Sequence, residues 1–403
     1  MEKNIFLELE KRGIIEQFID RENLIKHLDE GNVPFYIGID PTADSLHIGH
    51  YVGLMVASYL QKAGHSPLIL IGGGTAAIGD PSGKTDLRRM MTREEMDENV
   101  EKIKKQIARF VNFEGENAAR IVNNADWLLN LNYIDFMREI GSKFSVNRML
   151  AAECYKTRLE TGLTFFEMGY MLLQSYDFLH LYNQFGCKLE IGGNDQWSNI
   201  IGGAELIRKL GHDDAFAFTF KLLTTKEGKK MGKTEKGALW LSAEKLTPFE
   251  FFQYLRNIDD EDIEKVYKMV SITDIEEIED ILKKETNPNI IKEKLAYDIT
   301  KRVHGKEEAD KALNTAREIF SGKVNTEALP VVKATIGENM LDVCIKAGFG
   351  KSRGDIKKLI ASNSISLGEK LLEVGKLIEE KDFEEGKNIL KKGKKVIVKL
   401  EKE

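Results

Sequence analysis

The chain has 403 residues, 42% hydrophobic and 31% charged, which leaves room for two or three domains and a sizeable core. Its apolar runs fall well short of a membrane span and no signal peptide is expected. Its three scattered cysteines (Cys154, Cys187, Cys344) form no CxxC, so neither a disulfide framework nor a zinc site is expected and a reduced, cytoplasmic setting is. Net charge is −6, yet residues 341–403 hold 15 Lys and Arg against 11 Asp and Glu, and a basic end on an acidic chain directs attention to RNA there.

Residues 3–29 read as one or two amphipathic helices, with Ile5, Phe6, Leu9, Ile14, Ile15, Phe18 and Ile19 on one side. Phe35–Ile39 reads as a buried strand, stopped by Asp40-Pro41. Apolar residues then recur at helical spacing from Leu46 to Leu60, and Gly64 ends that helix. His47 and His50 share a face of its first turn, Gly49 between them lets a flat ligand lie on the backbone, and the helix N-terminus suits a phosphate. A solvated helix end is the competing reading; a metal site lacks a third ligand near by.

Pro67–Ile71 is the next strand, so strand, helix and strand form a βαβ unit of a parallel sheet, with sites at the strand C-terminal ends. Gly79-Asp80-Pro81-Ser82-Gly83-Lys84-Thr85 is not a P-loop: Ile78 stands where that motif needs glycine, and the proline removes a backbone donor. Thr92 and Glu95 make a capping box for a charged helix to about Val111, and Arg120–Asn123 is a short strand. Residues 124–163 show no clear pattern. Thr164 and Glu167 cap a further helix, on which Tyr170, Gln174 and Asp177 share a face. Lys188–Ile191 is a strand running into Gly192-Gly193-Asn194-Asp195-Gln196-Trp197, where the glycines would admit a ribose and Asp195 accept from its hydroxyls. Phe216–Leu223 is the last strand before a Gly- and Lys-rich loop, and residues 247–320 read as helices throughout.

Pro41-Thr42-Ala43-Asp44-Ser45-Leu46-His47-Ile48-Gly49-His50 resembles the HIGH signature of class I aminoacyl-tRNA synthetases, in the form typical of bacterial-type tyrosyl-tRNA synthetases. Lys230-Met231-Gly232-Lys233-Thr234 resembles the family's second signature, with Gly-Lys-Thr in place of the commoner Ser-Lys-Ser. The resemblance covers nearly the whole chain. It implies an α/β fold: a Rossmann-like parallel-sheet catalytic domain over residues 1–225 with an insertion near 124–163 carrying dimer contacts around Phe165. A lysine loop with an all-helical domain (226–320), a linker (321–332) and a small α+β RNA-binding module (333–403) would follow. In that module, Lys351–Ile360 leading to Ser364–Gly368 resembles the basic helix, strand and turn of a domain found in a small-subunit ribosomal protein.

The resemblance also implies roles. Thr42, His47, His50, Lys84, Arg88, Lys230, Lys233 and Thr234 would donate to phosphates during activation. Asp80, Tyr170, Gln174 and Gln196 would hold the amino-acid end of tyrosine, and Tyr36 and Asp177 its phenolic hydroxyl. Gly38, Asp40, Gly49, Gly192, Asp195 and Lys233 would hold ATP, with Mg2+ arriving on the nucleotide and no dedicated metal site. Lys351, Arg353, Lys357 and Lys358 would contact tRNA. A homodimer away from membranes is expected. The alternatives are a tryptophan enzyme, disfavoured by Asp44-Ser45-Leu46 and the C-terminal module, and an inactive tRNA-binding paralogue, disfavoured by the intact phosphate donors.

Overall fold

The computed structural model describes residues 4–81, 92–212, 214–234, 237–321, 329–384, 386–393 and 396–403. The chain divides into two compact units, Met1–Met231 with Lys265–Ile278, and Gly232–Glu264 with Glu279–Glu403. In the first, the elements in order are α1 (Ile5–Lys11), β1 (Ile15–Phe18), α2 (Arg21–Leu28), β2 (Pro34–Ile39), α3 (Ile48–Lys62), β3 (Ser66–Ile71), α4 (Arg93–Ile107) and β4 (Arg120–Asn123). Four helices follow, α5 (Ala125–Leu128), α6 (Tyr133–Glu139), α7 (Val146–Leu150) and α8 (Glu153–Thr161). Then come α9 (Phe165–Phe185), β5 (Leu189–Gly193), α10 (Trp197–Lys209) and β6 (Phe216–Phe220).

The strands form one sheet in the order β1-β6-β5-β2-β3-β4. All neighbours are parallel except β1 and β6. From β2 the chain winds outward through β3 and β4, then returns to lay β5 on the other side of β2. The switch point of the sheet therefore lies between β2 and β5, where α/β proteins open a crevice beyond the strand C-terminal ends. Buried Tyr51, Val52, Leu54, Met55 and Leu60 show that α3 is apolar around much of its circumference, so it packs within the core.

The N-terminal segment departs from the helical reading. Gly13 takes φ +71° and stops α1, after which Ile15–Phe18 pairs antiparallel with β6, Ile15 opposite Phe220 and Phe18 opposite Phe218. Its apolar spacing fits either a helix or an edge strand, and the open edge of β6 decides. The sequence also does not announce the return of Lys265–Ile278 to the first unit. Buried Arg12 donates to the carbonyls of Lys268, Ser271 and Thr273 at 3.4, 3.3 and 2.9 Å, and Tyr51 donates to that of Val270 at 3.0 Å. The Lys268 and Val270 carbonyls end a helix and those of Ser271 and Thr273 follow it, and the Arg12 fork with the Tyr51 hydroxyl supplies the donors they need.

In the second unit, β7 (Lys233–Thr234) pairs with β8 (Gly237–Ala238) and α11 (Pro248–Arg256) starts from a Thr247/Glu250 capping box with proline at its first position. Next in the chain come α12 (Ile263–Val270), most of it in the first unit, and α13 (Ile275–Lys284), divided between the two, and then α14 (Pro288–His304) and α15 (Lys306–Ser321) of the second unit. The C-terminal elements are β9 (Val331–Ala334), α16 (Met340–Lys346), α17 (Arg353–Ala361), β10 (Ile365–Leu367), β11 (Lys370–Leu371), β12 (Ile389–Lys392) and β13 (Val396–Lys402). Their five-stranded sheet, ordered β11-β10-β12-β13-β9, carries α16 and α17 on an apolar cluster drawn from residues 332–400. Most of the expected linker, residues 322–328, lies outside the described residues. Among the described residues no helix is long and apolar enough to cross a membrane.

Candidate active site

Beyond β2 the chain turns through Asp40–Leu46 before α3 begins. Helix α4 holds this turn: Asn99 donates to the Pro41 carbonyl at 2.9 Å, and Gln106 Oε1 accepts from Ser45 Oγ at 3.2 Å and Leu46 N at 3.0 Å. His47 is the N-cap of α3 and not, as its spacing suggested, part of the first turn. Its Nδ1 accepts the Gly49 N–H at 3.0 Å, while His50 Nδ1 accepts the His47 N–H at 3.2 Å, and the rings stack with centroids 4.0 Å apart. A backbone N–H only donates, so each ring must offer a bare Nδ1 and carry its proton on Nε2. The amides of His47 and Gly49 are therefore spent on the rings, and each imidazole keeps an Nε2–H as a donor. Gly49 has a steric reason beyond ligand access, since a Cβ there would lie 2.8 Å from His47 Cε1. Gly38 is exposed in mid-strand, and Thr42 is exposed with its N–H on the Asp40 carbonyl at 2.8 Å.

The second half of the site is a buried polar chain. Helix α9 starts from a Thr164/Glu167 capping box, and Arg158 clamps Glu167 through both nitrogens at 2.8 and 3.1 Å. From that fixed start, Tyr170, Gln174 and Asp177 point into the core side of the sheet instead of forming a solvated stripe: Tyr170 and Asp177 are buried and Gln174 half-buried. Asp177 Oδ2 accepts from Asn124 Nδ2 at 2.9 Å and Oδ1 from Trp127 Nε1 at 2.7 Å. Asn124 also donates to Thr75 Oγ1 at 3.1 Å and accepts the Gly74 N–H at 2.7 Å. Thr75 donates in turn to Asp40 Oδ1 at 2.9 Å, and Tyr170 donates to Asp40 Oδ2 at 3.1 Å. Gln174 Nε2 donates to Glu190 at 3.1 Å, and Glu190 faces Tyr36 across the β2–β5 pair.

Burial drives the electrostatics of this chain. It pushes the Asp177 carboxyl up to about 8 against its two donors, with the charges of Glu190 and Asp40 adding to the rise. It pushes Glu190 up to about 7, and holds the Tyr36 phenol well above its ordinary value with help from Glu190. Tyr36 and Glu190 are linked through a side-chain hydrogen bond, which helps raise the phenol and holds the carboxyl down against its burial.

On the far side of the crevice, Gln196 Nε2 donates to Asp80 Oδ2 at 2.7 Å, and Asn199 supports Gln196 Oε1 at 3.3 Å. Gly192 is buried, and Ile200 and Gln196 fill the space above its Cα, so its missing side chain serves packing. Lys230 pairs with Asp195 at 3.1 Å, two residues given separate tasks by sequence. With Lys230 52% exposed, the pair opens at a cost of about 0–1 kcal/mol. The boundary between the units falls after Met231, so Lys230 belongs to the first unit and Lys233–Thr234 to the second. Lys84 and Arg88 lie outside the described residues, as do the side chains of Lys233 and Thr234. In the C-terminal module Lys351, Arg353, Lys357 and Lys358 are all exposed on or just before α17, whose buried side is Ile356 and Ile360; Arg353 is engaged at both ends of its fork by Asp342. Among the described residues no group of three or more His, Cys, Asp or Glu stands ready for a metal ion.

A family model of class I tRNA synthetases (W and Y) matches residues 28–321. Among curated proteins, the chain is 50% identical over 399 residues to a tyrosine–tRNA ligase of Acetivibrio thermocellus, covering 97% of this chain and 98% of that one. It is 49% identical to a tyrosine–tRNA ligase of Clostridium botulinum, covering 99% of both. The chain belongs to the tyrosine–tRNA ligase family of class I synthetases. Among solved structures, a C-terminally truncated mitochondrial tyrosyl-tRNA synthetase of Aspergillus nidulans is similar at 27% identity and a TM-score of 0.70, over 79% of this chain and 95% of that one. A tryptophanyl-tRNA synthetase of Plasmodium falciparum, at 15% identity and a TM-score of 0.54 over 76% and 87%, shares the fold.

Family membership does not by itself supply four residues that sequence reasoning passed over. Thr75, Asn124 and Trp127 stand just beyond the ends of β3 and β4, where parallel sheets place their sites, and that position was the available signal. Glu190 had a different one: a lone carboxylate between Leu189 and Ile191 in a buried strand is costly unless it has a task.

Proposed function

We infer that the protein is a tyrosine–tRNA ligase, which activates L-tyrosine with ATP and transfers it to the 3′-terminal adenosine of its tRNA. The observation that carries the amino-acid choice is the Asp177 carboxyl, buried beside the Tyr36 hydroxyl and held at both oxygens by Asn124 and Trp127. A rigid acceptor next to a phenol suits one substrate hydroxyl, and an amino acid without that hydroxyl leaves buried polar groups unpaired.

In the first step the tyrosine carboxylate attacks the α-phosphate of ATP, forming tyrosyl-adenylate and expelling pyrophosphate. The nucleophile is already ionised, so positioning and charge stabilisation carry the step. The Nε2–H groups of His47 and His50 are oriented donors for that charge, with Thr42, Lys84, Arg88, Lys230, Lys233 and Thr234 assigned to the same task. Asp80 with Gln196, and Tyr170 with Gln174, take the ammonium end. Gly38, Asp40, Gly49, Gly192 and Asp195 border the nucleotide, and magnesium arrives on its phosphates. In the second step the ribose hydroxyl of the terminal adenosine attacks the adenylate's carbonyl and AMP leaves.

The module from residue 333 is assigned to tRNA through Lys351, Lys357 and Lys358, with Arg353 released from Asp342. Exposed Tyr133, Ile134, Val146, Phe165 and Phe166 support a homodimer in which a second copy covers them. Three buried free cysteines support a cytoplasmic setting. Amino-acid-dependent ATP–pyrophosphate exchange across all twenty amino acids tests the assignment: tyrosine alone should support it, and exchange with phenylalanine or tryptophan at a comparable rate would refute it.

A further inference from the structure

The stretches around His47 and Lys230 lie far apart in sequence, yet within the first unit α12 is bonded to the neighbourhood of both. Its C-terminal end meets the helix that His47 caps: Tyr51 of α3 donates to the Val270 carbonyl at 3.0 Å, Tyr59 of α3 donates to the Ser271 carbonyl, and the Arg12 guanidinium lies 4.6 Å over the Tyr59 ring. Nearer its start, the half-buried Lys265 ammonium donates twice to one residue, to the Thr224 carbonyl at 2.7 Å and the Thr224 hydroxyl at 2.8 Å. Thr224 is bridged antiparallel to Lys230, and on either side the Met231 N–H meets the Leu223 carbonyl and the Thr225 N–H the Lys229 carbonyl, each at 2.8 Å. Residues 223–231 therefore form a short hairpin, with Gly228 at φ +76° in its turn. Leu223 and Met231 are buried at its base, while the Lys230 side chain reaches out to Asp195.

We propose that Lys265 is a positioning residue for Lys230: by gripping Thr224 it sets the base from which the Lys230 ammonium reaches the phosphates, and through α12 it refers that base to the helix carrying His47 and His50. The proposal deepens the tyrosine–tRNA ligase reading and rests on it, since that reading assigns Lys230 to phosphate. Lys230 is half exposed and its pair with Asp195 opens easily, so that pair does not fix its aim and the backbone beneath it must. The amides of Thr225 and Met231 tie the two arms of the hairpin to each other; Lys265 ties them to α12. A charged donor makes the stronger bond, and both acceptors belong to the residue that faces Lys230. Stabilising charge on departing pyrophosphate needs donors held in place beforehand, and a shift of about 1 Å in such a group can cost ~10²-fold in rate.

The test is tyrosine-dependent ATP–pyrophosphate exchange by the full-length protein, run as a double-mutant cycle of Lys265→Met and Lys230→Ala. Lys265→Met should lower kcat roughly 10- to 100-fold while tyrosine affinity, by equilibrium dialysis, stays within about twofold. Lys265→Arg keeps a charged donor and should recover most of the rate. In the Lys230→Ala background, Lys265→Met should cost less than about twofold more, because the group it positions is gone. Thr224→Val removes one of the two acceptors and leaves Lys265 in place; it should show a smaller loss that likewise vanishes in Lys230→Ala, and it carries the test where Lys265→Met fails to fold. An equal fold-loss in both backgrounds would mean that Lys265 only supports the fold or acts independently of Lys230, and would overturn the proposal; so would an undiminished rate in Lys265→Met or in Lys230→Ala. Absence of exchange with tyrosine in the unmodified protein would instead refute the functional assignment beneath it.

Discussion

Trp127 Nε1 donates to Asp177 Oδ1 at 2.7 Å, joining residues 50 apart in sequence, while Asn124 holds the other oxygen. The indole also stacks on His180 with centroids 4.3 Å apart, which fixes the donor's aim. Trp127→Phe keeps an aromatic ring in the stack and removes the N–H. With Asp177 mostly protonated at neutral pH this is a bond to a neutral carboxyl, worth about 0.5–1.5 kcal/mol, so KM for tyrosine should rise roughly 2- to 10-fold, with kcat less affected. Exchange kinetics at varied tyrosine measure this, and an unchanged KM would remove Asp177 from the hydroxyl end.

His47→Ala and His50→Ala should behave differently from that variant. Each removes a donor proposed for developing phosphate charge, and a loss of ~10²–10³ in activation rate is the usual scale. Tyrosine affinity by equilibrium dialysis should stay within a few-fold. Gly49→Ala should imitate His47→Ala, because its Cβ would lie 2.8 Å from the imidazole that must cap α3. Full exchange activity in both histidine variants would return the pair to a purely capping role.

The raised carboxyls give a sign to the pH dependence of stability. With Asp177 at about 8 and Glu190 at about 7, the folded protein keeps protons that the unfolded chain has released above the ordinary carboxyl range near 4. Ligand-free stability should therefore fall as pH rises from about 4 through these values, then level off. Thermal unfolding between pH 5 and 9 should show a shallower decline for Asp177→Asn than for the unmodified protein. Identical slopes would mean that Asp177 is ionised in the folded state at neutral pH.

Truncation after Ser321 separates the half-reactions. The C-terminal cluster is built from residues 332–400 alone, so its removal should leave adenylate formation near the full rate while tRNA charging collapses. In the complete chain, charging should decline with salt more steeply than activation, as phosphate contacts do. If both reactions survive truncation, the module is not the RNA-binding part; if both fail, the remainder needs it to fold.

Much of this was legible in the sequence, for physical reasons. The capping boxes at Thr92, Thr164 and Thr247 and the strand at Arg120–Asn123 stand where local pattern puts them, because caps and short apolar runs depend on near neighbours. Tyr170, Gln174 and Asp177 came out on one helix face for the same reason. Local pattern failed where a distant partner decides: Ile15–Phe18 becomes a strand only because β6 offers an edge, and Lys265–Ile278 joins the first unit through Arg12, Tyr51 and the Lys265 bond to Thr224. Asn124 and Trp127 were hidden because short helices bounded by loops carry no periodicity.

The run Asp177–Asn124–Thr75–Asp40–Tyr170 ties the floor of the amino-acid pocket to the turn that opens the nucleotide side. Gly72 is part of it, since a side chain there would fall 2.5 Å from Thr75 Oγ1. Anyone redesigning the pocket for a bulkier amino acid meets a mechanical coupling: space gained at Asn124 or Asp177 loosens Asp40, so libraries randomised at those positions will lose turnover before they change substrate. Space taken beside the strut, at Glu190 or Gln174, leaves it braced, and that is where a new substrate range is to be sought.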